Sequence, residues 1–384
     1  MERHSSKRIL LLPLIGVLCM QPLLSHGDTR FGDNQVSAIV TAMAPGDGPG
    51  IQYVVVDKTG VVYEHSTGLA DVENKTAMTL RHTMAAFSMT KTLTAIAILQ
   101  LAEQGKLDID APVAKYVKHP YDQEVTIRQL VNHTSGIANP IPLRWVHLAK
   151  DQQSFNEHAA LQAVLAKNSK PNTPPGEKHG YSNINYWLLG NVIEAASGQD
   201  YSAYSRQNIF QRLRLSPDEI DFTYSATSPH AKGYLAKYSF MNLVKGFVTN
   251  REVWGNYEGN WLHIKDVYVN GPAFGGAIGT ARAFSVILQD LLADRPGLLN
   301  EISKKLLFKP QKTRSGKETG MTLGWHIGNI DGTRYYYKEG GGAGFHSEMR
   351  VYPSKGLATV IMTNQTSFNS RSALSKLDKA FLKQ

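Results

Sequence analysis

The stretch Ala85-Ala86-Phe87-Ser88-Met89-Thr90-Lys91-Thr92-Leu93-Thr94-Ala95-Ile96-Ala97-Ile98-Leu99-Gln100-Leu101-Ala102-Glu103-Gln104-Gly105 decides how this 384-residue chain is read. Over residues 93–102 the apolar side chains run almost all round a helical wheel, which predicts a helix enclosed by protein on most sides. Gly105 followed by Leu107 supplies a left-handed stop with a hydrophobic clasp. At the opening turn Ser88 and Lys91 stand three residues apart, so they share a face and come within hydrogen-bond reach. An amine beside a hydroxyl can act as its base. Ser-x-x-Lys also occurs on ordinary solvated helix faces, so the pair needs partners before it means chemistry.

Outward from that helix, residues 34–44 predict a first helix, broken by Pro45-Gly46-Asp47-Gly48-Pro49-Gly50. Residues 51–57 and 61–65 are β-branched and aromatic on either side of Lys58-Thr59-Gly60, which reads as a hairpin. Further on, residues 126–132 form a short helix ending in His133-Thr134-Ser135-Gly136, and residues 185–197 a clear one stopped by Gly198. Residues 225–272 read as loop-rich, with Trp254, Tyr257 and Trp261 packing the loops. A helix over 281–293 is followed by strands at 323–327, 333–338, 346–352 and 357–363 and a last helix over 371–382. Strands and helices at both ends around a helical middle predict an α/β (α+β) fold. One antiparallel sheet is built from residues 28–80 and 275–384, and a mainly helical domain, residues 81–274, is inserted.

Composition agrees with a globular chain, 42% hydrophobic and 19% charged. Arg3, Lys7 and Arg8 precede a twelve-residue apolar run over 9–20, and Ser25-His26-Gly27 offers small residues for cleavage. This is the outline of a secretory signal peptide over 1–27, with an uncleaved anchor as the other reading. A secreted or periplasmic product is expected, touching a membrane only through that segment. The single cysteine, Cys19, falls in the same run, so the mature chain has neither disulfide nor thiol nucleophile; Leu18 before it is a poor match to lipid attachment. The net charge of +9 is scattered, without basic runs interleaved with aromatics, which argues against nucleic acid and leaves anionic substrates or envelope polymers open.

A serine with a lysine becomes a hydrolase only with a proton relay, a cation and an oxyanion site. Tyr181-Ser182-Asn183 stands just before the helix over 185–197, where a phenol can be presented from a loop. Lys338-Glu339-Gly340-Gly341 ends an aromatic strand, and its glycines let a substrate lie along the strand edge. Two lookalikes are set aside. Lys58-Thr59-Gly60 is turn chemistry at a hairpin tip, and Lys317-Glu318-Thr319-Gly320 lies in a polar connection before a strand. There is no His-Glu-x-x-His, phosphate loop, dinucleotide fingerprint or Gly-x-Ser-x-Gly elbow, so neither metal nor cofactor is inferred.

With Ser88-Met89-Thr90-Lys91, Tyr181-Ser182-Asn183 and Lys338-Glu339-Gly340 in this order, the chain resembles the serine hydrolases related to class C β-lactamases and D-alanyl-D-alanine carboxypeptidases. The likeness extends over about residues 35–380, through residues 126–136, Pro175-Gly176-Glu177, residues 190–198 and 272–280, Gly324-Trp325 and Thr363-Asn364. The resemblance implies an acyl-enzyme mechanism. Ser88 would attack a carbonyl of a small-molecule or peptidyl substrate, and Lys91 and Tyr181 would share its activation and the protonation of the leaving group. Backbone N–H groups of Ser88 and Gly341 would form the oxyanion hole, and Asn183 would orient a substrate amide or the lysine. Either Lys91 or Tyr181 can be the base. For Lys91 to act near pH 7, its pKa has to fall far below the ordinary lysine value of about 10.4, which burial and the charge of Lys338 favour.

The chain departs from the pattern at Glu339, where β-lactam-cleaving members usually carry a small hydroxyl residue that helps hold the substrate carboxylate. A glutamate there is expected to repel that carboxylate. The expectation is therefore a secreted hydrolase of an ester, amide or β-lactam. The alternatives are a D-alanyl-D-alanine carboxypeptidase, a binding or sensing protein without turnover, and a structural assembly protein on the same fold.

Overall fold

β-Branched and aromatic runs at both ends of the chain produce one six-stranded antiparallel sheet in the computed structural model, which describes residues 33–44, 46–141 and 144–382. The expected signal segment and Cys19 lie outside the described residues. Helix α1 (Asp33–Met43) leads into the hairpin β1 (Ile51–Asp57) and β2 (Val61–Thr67), whose tip is Lys58-Thr59-Gly60. There the Asp57 carboxylate accepts from the backbone N–H groups of Thr59 and Gly60, so this Lys-Thr-Gly is turn chemistry. Next come α2 (Thr90–Glu103), α3 (Asn183–Ser197), α4 (Phe240–Val248) and α5 (Ala281–Leu292). The chain closes with β3 (His326–Ile330), β4 (Thr333–Gly342), β5 (Phe345–Tyr352), β6 (Leu357–Thr363) and α6 (Ser370–Leu377).

The sheet order is β3-β4-β5-β6-β1-β2, so the N-terminal hairpin completes a sheet begun by the C-terminal strands. Ile51 pairs with Thr363 and Asp57 with Leu357 across that junction. Being central, β1 is buried on both faces. Val54 and Val56 join the main core with α2, α3 and α5, while Tyr53 and Val55 join a second core against α1 and α6.

Helix α2 is buried from Thr90 to Leu101, as its all-round apolar wheel requires. Truncating a side chain such as Leu99 to alanine there costs about 2–5 kcal/mol. Its three threonines are satisfied without water: Thr92 Oγ1 donates back to the Met89 carbonyl, Thr94 Oγ1 to the Ala273 carbonyl, and Thr90 Oγ1 accepts from Ala277 N–H. The last two pin the segment around Phe274 against the helix. Gly105 adopts φ +68° and ends the helix as expected, with Leu107 buried beside it.

Five local expectations are corrected. Ser88 lies in a 3-10 turn (Phe87–Met89) that precedes α2 rather than in its first turn. Helix α3 begins at Asn183, two residues earlier than periodicity indicates, because buried Asn183 and Asn185 are held by polar partners the wheel does not count. Residues 225–272 are not mainly loop. They hold α4 and a three-stranded sheet (Gly233–Ala236, Trp254–Glu258, Trp261–Ile264), whose short strands and glycine Gly259 look like loop in sequence. The first C-terminal strand starts at His326, since Gly324 takes φ +85° and turns the chain before it. The last helix breaks at Asp378, whose buried carboxylate accepts from Tyr53 Oη at 3.1 Å and Tyr352 Oη at 2.6 Å.

Candidate active site

The turn that carries Ser88 is clamped between α2 and the free edge of β4. Strand β3 pairs with β4 only as far as Tyr337, so from Lys338 to Gly342 one side of β4 is open, while the other stays paired with β5. Gly340 meets the Ser88 turn directly. A Cβ there would stand 2.1 Å from the Ala86 carbonyl oxygen and 2.9 Å from Ser88 N, so only glycine allows the approach. Phe87, next to the serine, is held at φ +45°, a sparsely populated conformation for a bulky residue.

The 3-10 turn still brings Lys91 back onto Ser88, with Nζ 3.0 Å from Oγ. Tyr181 Oη shares a 2.8 Å hydrogen bond with the same Oγ. Lys91 Nζ also donates to Asn183 Oδ1 at 2.7 Å and to the Phe274 carbonyl at 2.5 Å. Asn183 is fixed in turn by Asn139 Oδ1, which accepts from its backbone N–H at 3.0 Å and its side-chain amide at 3.2 Å. Burial, and after it the charge of Lys338, drive the Lys91 pKa well below the ordinary lysine value. A neutral amine has two N–H groups and one lone pair. The two carbonyl oxygens take the N–H groups, and the lone pair is left for the Ser88 hydroxyl. Burial raises the Tyr181 pKa, so the phenol keeps its proton.

Lys338 is fully buried, its Nζ 5.1 Å from the Tyr181 ring centroid and without a hydrogen-bond partner among the described residues. Burial pulls its pKa down to about 7. Around it stand three histidines to which the sequence reading gave no role in the site. His133 lies 4.5 Å, ring to ring, from Tyr181; His179 and His326 complete the group. Burial and then Lys338 hold all three below the ordinary histidine value, His326 at about 2. His133 lies within the quoted stretch 126–136 without a role being given to it, and His179 stands two residues before Tyr181; histidine in a loop carries no periodic signal that singles it out.

Glu339 does not stand bare. His346 Nε2 donates to its Oε1 at 2.8 Å, and an Arg371 guanidinium nitrogen lies 3.5 Å from Oε2. The His346 hydrogen bond, stronger than the opposing effect of burial, keeps the carboxyl below its usual range and hence ionised. Gly341 lies opposite His346 on β5 at the cleft floor. Beside Ser88 opens a cleft walled by Phe87, Trp145, Leu235, Met241, Trp254 and Phe274. Trp254 is thus part of the site's wall, a placement that composition alone had assigned to loop packing. Tyr257 and Trp261 lie on the strands beside it.

Ser88, Lys91, Tyr181, Asn183, Lys338, Glu339, Gly340 and Gly341 are therefore assembled from three separate parts of the chain into one cleft. Among the described residues no group of three His, Cys, Asp or Glu side chains is arranged to hold a metal.

Comparison with known proteins gives the family and the fold. The family model described as Beta-lactamase matches residues 37–381, and the chain belongs to that family. Penicillin-binding protein 4* of Bacillus subtilis (strain 168) is 26% identical over 318 residues, covering 79% of this chain and 66% of the relative. Protein flp of Staphylococcus aureus (strain N315) is 28% identical over 213 residues, covering 54% of this chain and 42% of its own. The chain thus spans less than two thirds of the length of these relatives. Its fold is that of the octameric penicillin-binding protein homologue from Pyrococcus abyssi, with TM-score 0.72 at 21% identity, covering 91% of this chain and 76% of that one. It is likewise that of D-amino acid amidase from Ochrobactrum anthropi SV3, with TM-score 0.69 at 19% identity and coverages of 91% and 98%.

Proposed function

We propose that this member of the beta-lactamase family is an exported serine hydrolase that cleaves esters or amides through an acyl-Ser88 intermediate. The observation that carries the reading is the buried Lys91 amine 3.0 Å from Ser88 Oγ, with its other two contacts taken by carbonyl oxygens. Neutral Lys91 takes the Ser88 proton as Oγ attacks the substrate carbonyl carbon. The oxyanion forms against the N–H groups of Ser88 and Gly341. Tyr181, a protonated phenol on the same Oγ, passes its proton to the leaving oxygen or nitrogen as that bond breaks and recovers one from the Lys91 ammonium, so that the amine is again neutral and the phenol again protonated. Water then repeats the sequence on the acyl carbon and frees Ser88.

Two features narrow the substrate. The walls beside Ser88 are aromatic and aliphatic, which suits an apolar group on one side of the scissile bond. Glu339, ionised at the β4 edge, disfavours a carboxylate there, so an uncharged ester or amide is the better substrate than a penicillin. The test is intact-mass analysis after incubation with an aryl ester and with a fluorophosphonate. The expected result is a single adduct on the wild type and none on Ser88→Ala. Absence of any adduct on folded protein across a panel of acyl esters, fluorophosphonate and penicillin overturns the reading.

A further inference from the structure

Helix α4 has two apolar faces that look in opposite directions. Its inner face sends Met241 into the cleft wall beside Ser88. Its outer face presents Phe240, Leu243 and Phe247 at 74, 79 and 83% exposure, next to Tyr238 at 85%. Large apolar residues scattered singly over a surface need no explanation, but these are not scattered. Of the eight large hydrophobic side chains exposed among the described residues, five fall between 238 and 257.

The surroundings of the patch are cationic. Lys237 Nζ lies 5.7 Å from the ring centroids of both Tyr238 and Tyr257, and Lys245 Nζ lies 5.0 Å from that of Trp254. Arg144 reaches the end of the helix, donating to the Phe247 carbonyl at 2.9 Å. Arg251 is exposed just beyond it, and Glu252 is the only acidic residue from 237 to 257. Aromatic rings with cations stacked on them suit the boundary between lipid headgroups and acyl chains.

We propose that α4 is an interfacial helix that lays its outer face on an anionic lipid surface. Phe240, Leu243, Phe247 and Tyr238 enter the acyl boundary, and Lys237, Arg251 and Arg144 meet the lipid phosphates. Lipid is favoured over a protein partner because the four exposed side chains, three on the helix and Tyr238 just before it, are ringed by Lys237, Lys245, Arg144 and Arg251, the arrangement of charge around apolarity that an anionic bilayer surface requires. The chain's net charge of +9 acts in the same direction. One consequence rests on the hydrolase reading above. A substrate with an apolar tail leaves the lipid past Met241 and reaches Ser88 without crossing water. The contact is additional to the signal segment, through which alone a membrane was expected to be met.

The test is amide hydrogen exchange over residues 237–257 of the full chain, with and without vesicles of phosphatidylcholine alone or mixed with phosphatidylglycerol. Exchange in α4 should slow by about tenfold or more with the anionic vesicles only. The slowing should vanish in Phe240→Ser/Leu243→Ser/Phe247→Ser and weaken in Lys237→Glu/Arg251→Glu. Because the reading is local, binding through the signal segment does not mimic it, and unchanged exchange in α2 shows that the variants are folded. Exchange unaffected by anionic vesicles overturns the proposal. So does slowing that survives the triple substitution, or slowing produced by raising the protein concentration without lipid, which would make the patch a contact between copies. Fluorophosphonate labelling of Ser88 in the same samples is scored separately. Its failure would remove the hydrolase reading and leave the docking result standing.

Discussion

Lys91 and Lys338 hold their Nζ atoms 5.2 and 5.1 Å from one ring centroid, that of Tyr181. Two buried amines so close to one phenol cannot both stay charged at neutral pH, and Lys91, already desolvated, is depressed further by Lys338. Activity through a neutral Lys91 rises with pH as that amine loses its proton. Removing the neighbouring charge in Lys338→Met lets the Lys91 pKa climb, so the acid limb of kcat/KM against pH moves to higher pH. Rates on an uncharged aryl ester measure this. A limb that stays in place, or moves down, would remove Lys91 as the base.

The same lysine bears on stability. Lys338 titrates at about 7 in the folded chain against 10.5 for an ordinary lysine. A folded-state pKa below the unfolded one means that the unfolded chain binds the proton more tightly. The native state is therefore destabilised below pH 10.5, fully so below about 7, and stability rises with pH between the two values. Lys338→Met replaces an amine without a hydrogen-bond partner by an apolar side chain of similar volume, and should stabilise the protein by about 1–3 kcal/mol. Melting temperatures at pH 6 and pH 10 test it. The gain should be large at the lower pH and small at the higher.

Much of this frame is legible from residue order, and the parts that are not share a physical cause. The hairpin, the strands over 346–352 and 357–363 and the stop at Gly105 follow from local strand-forming runs, turn residues and a left-handed glycine. Ser88, Lys91, Tyr181 and Lys338 could be nominated because each is a reactive type beside a strong local signal. The carbonyl of Phe274, the Asn139 amide and the histidines around Lys338 could not, since their roles arise only when distant segments meet. Helix α4 was hidden for another reason. Its outer face is apolar without being buried, so its pattern answers to a different environment from the core periodicity by which helices are recognised.

Tyr181→Phe separates the tyrosine's role from the lysine's. Loss of the phenol proton should slow amide cleavage by about 10²–10⁴-fold, because an amine leaves poorly without protonation. A nitrophenyl ester, whose leaving group needs no proton, should lose much less. Parallel kcat/KM measurements on the two substrates decide the point. Equal losses on both would make Tyr181 a part of the base instead.

Gly340→Ala tests the contact between β4 and the nucleophile turn. The added methyl would meet backbone atoms of Ala86, Ser88 and Met89 at 2.1, 2.9 and 3.0 Å, none of which can rotate away. Strand and turn must separate, with a stability loss of about 1–3 kcal/mol. The N–H groups of Ser88 and Gly341, the proposed oxyanion site, move apart with them, so kcat should fall by about 10²-fold or more while the protein still folds. Steady-state rates and circular dichroism read the two effects. A variant with native kcat would mean that the β4 edge is not part of the oxyanion site.

The proposed preference for uncharged substrates is tested at Glu339. Its carboxylate is held ionised by His346 and faces Arg371, so the three side chains carry a satisfied anion at the edge where a substrate carboxylate would lie. Replacing it in Glu339→Thr removes the negative charge and leaves His346 and Arg371 free to turn toward the cleft. An anionic substrate then loses a repulsion and gains a cation within reach, worth on the order of tenfold or more in relative kcat/KM. An uncharged ester experiences neither change. The measurement is the ratio of kcat/KM for a penicillin, or for a peptide ending in a free carboxylate, to that for a neutral aryl ester, in wild type and Glu339→Thr at low ionic strength. Raising the salt should shrink the difference between the two proteins, since the charges lie in a half-open cleft. If the ratio is unchanged, the carboxylate of a bound substrate lies elsewhere in the cleft and Glu339 serves only to anchor His346 and Arg371.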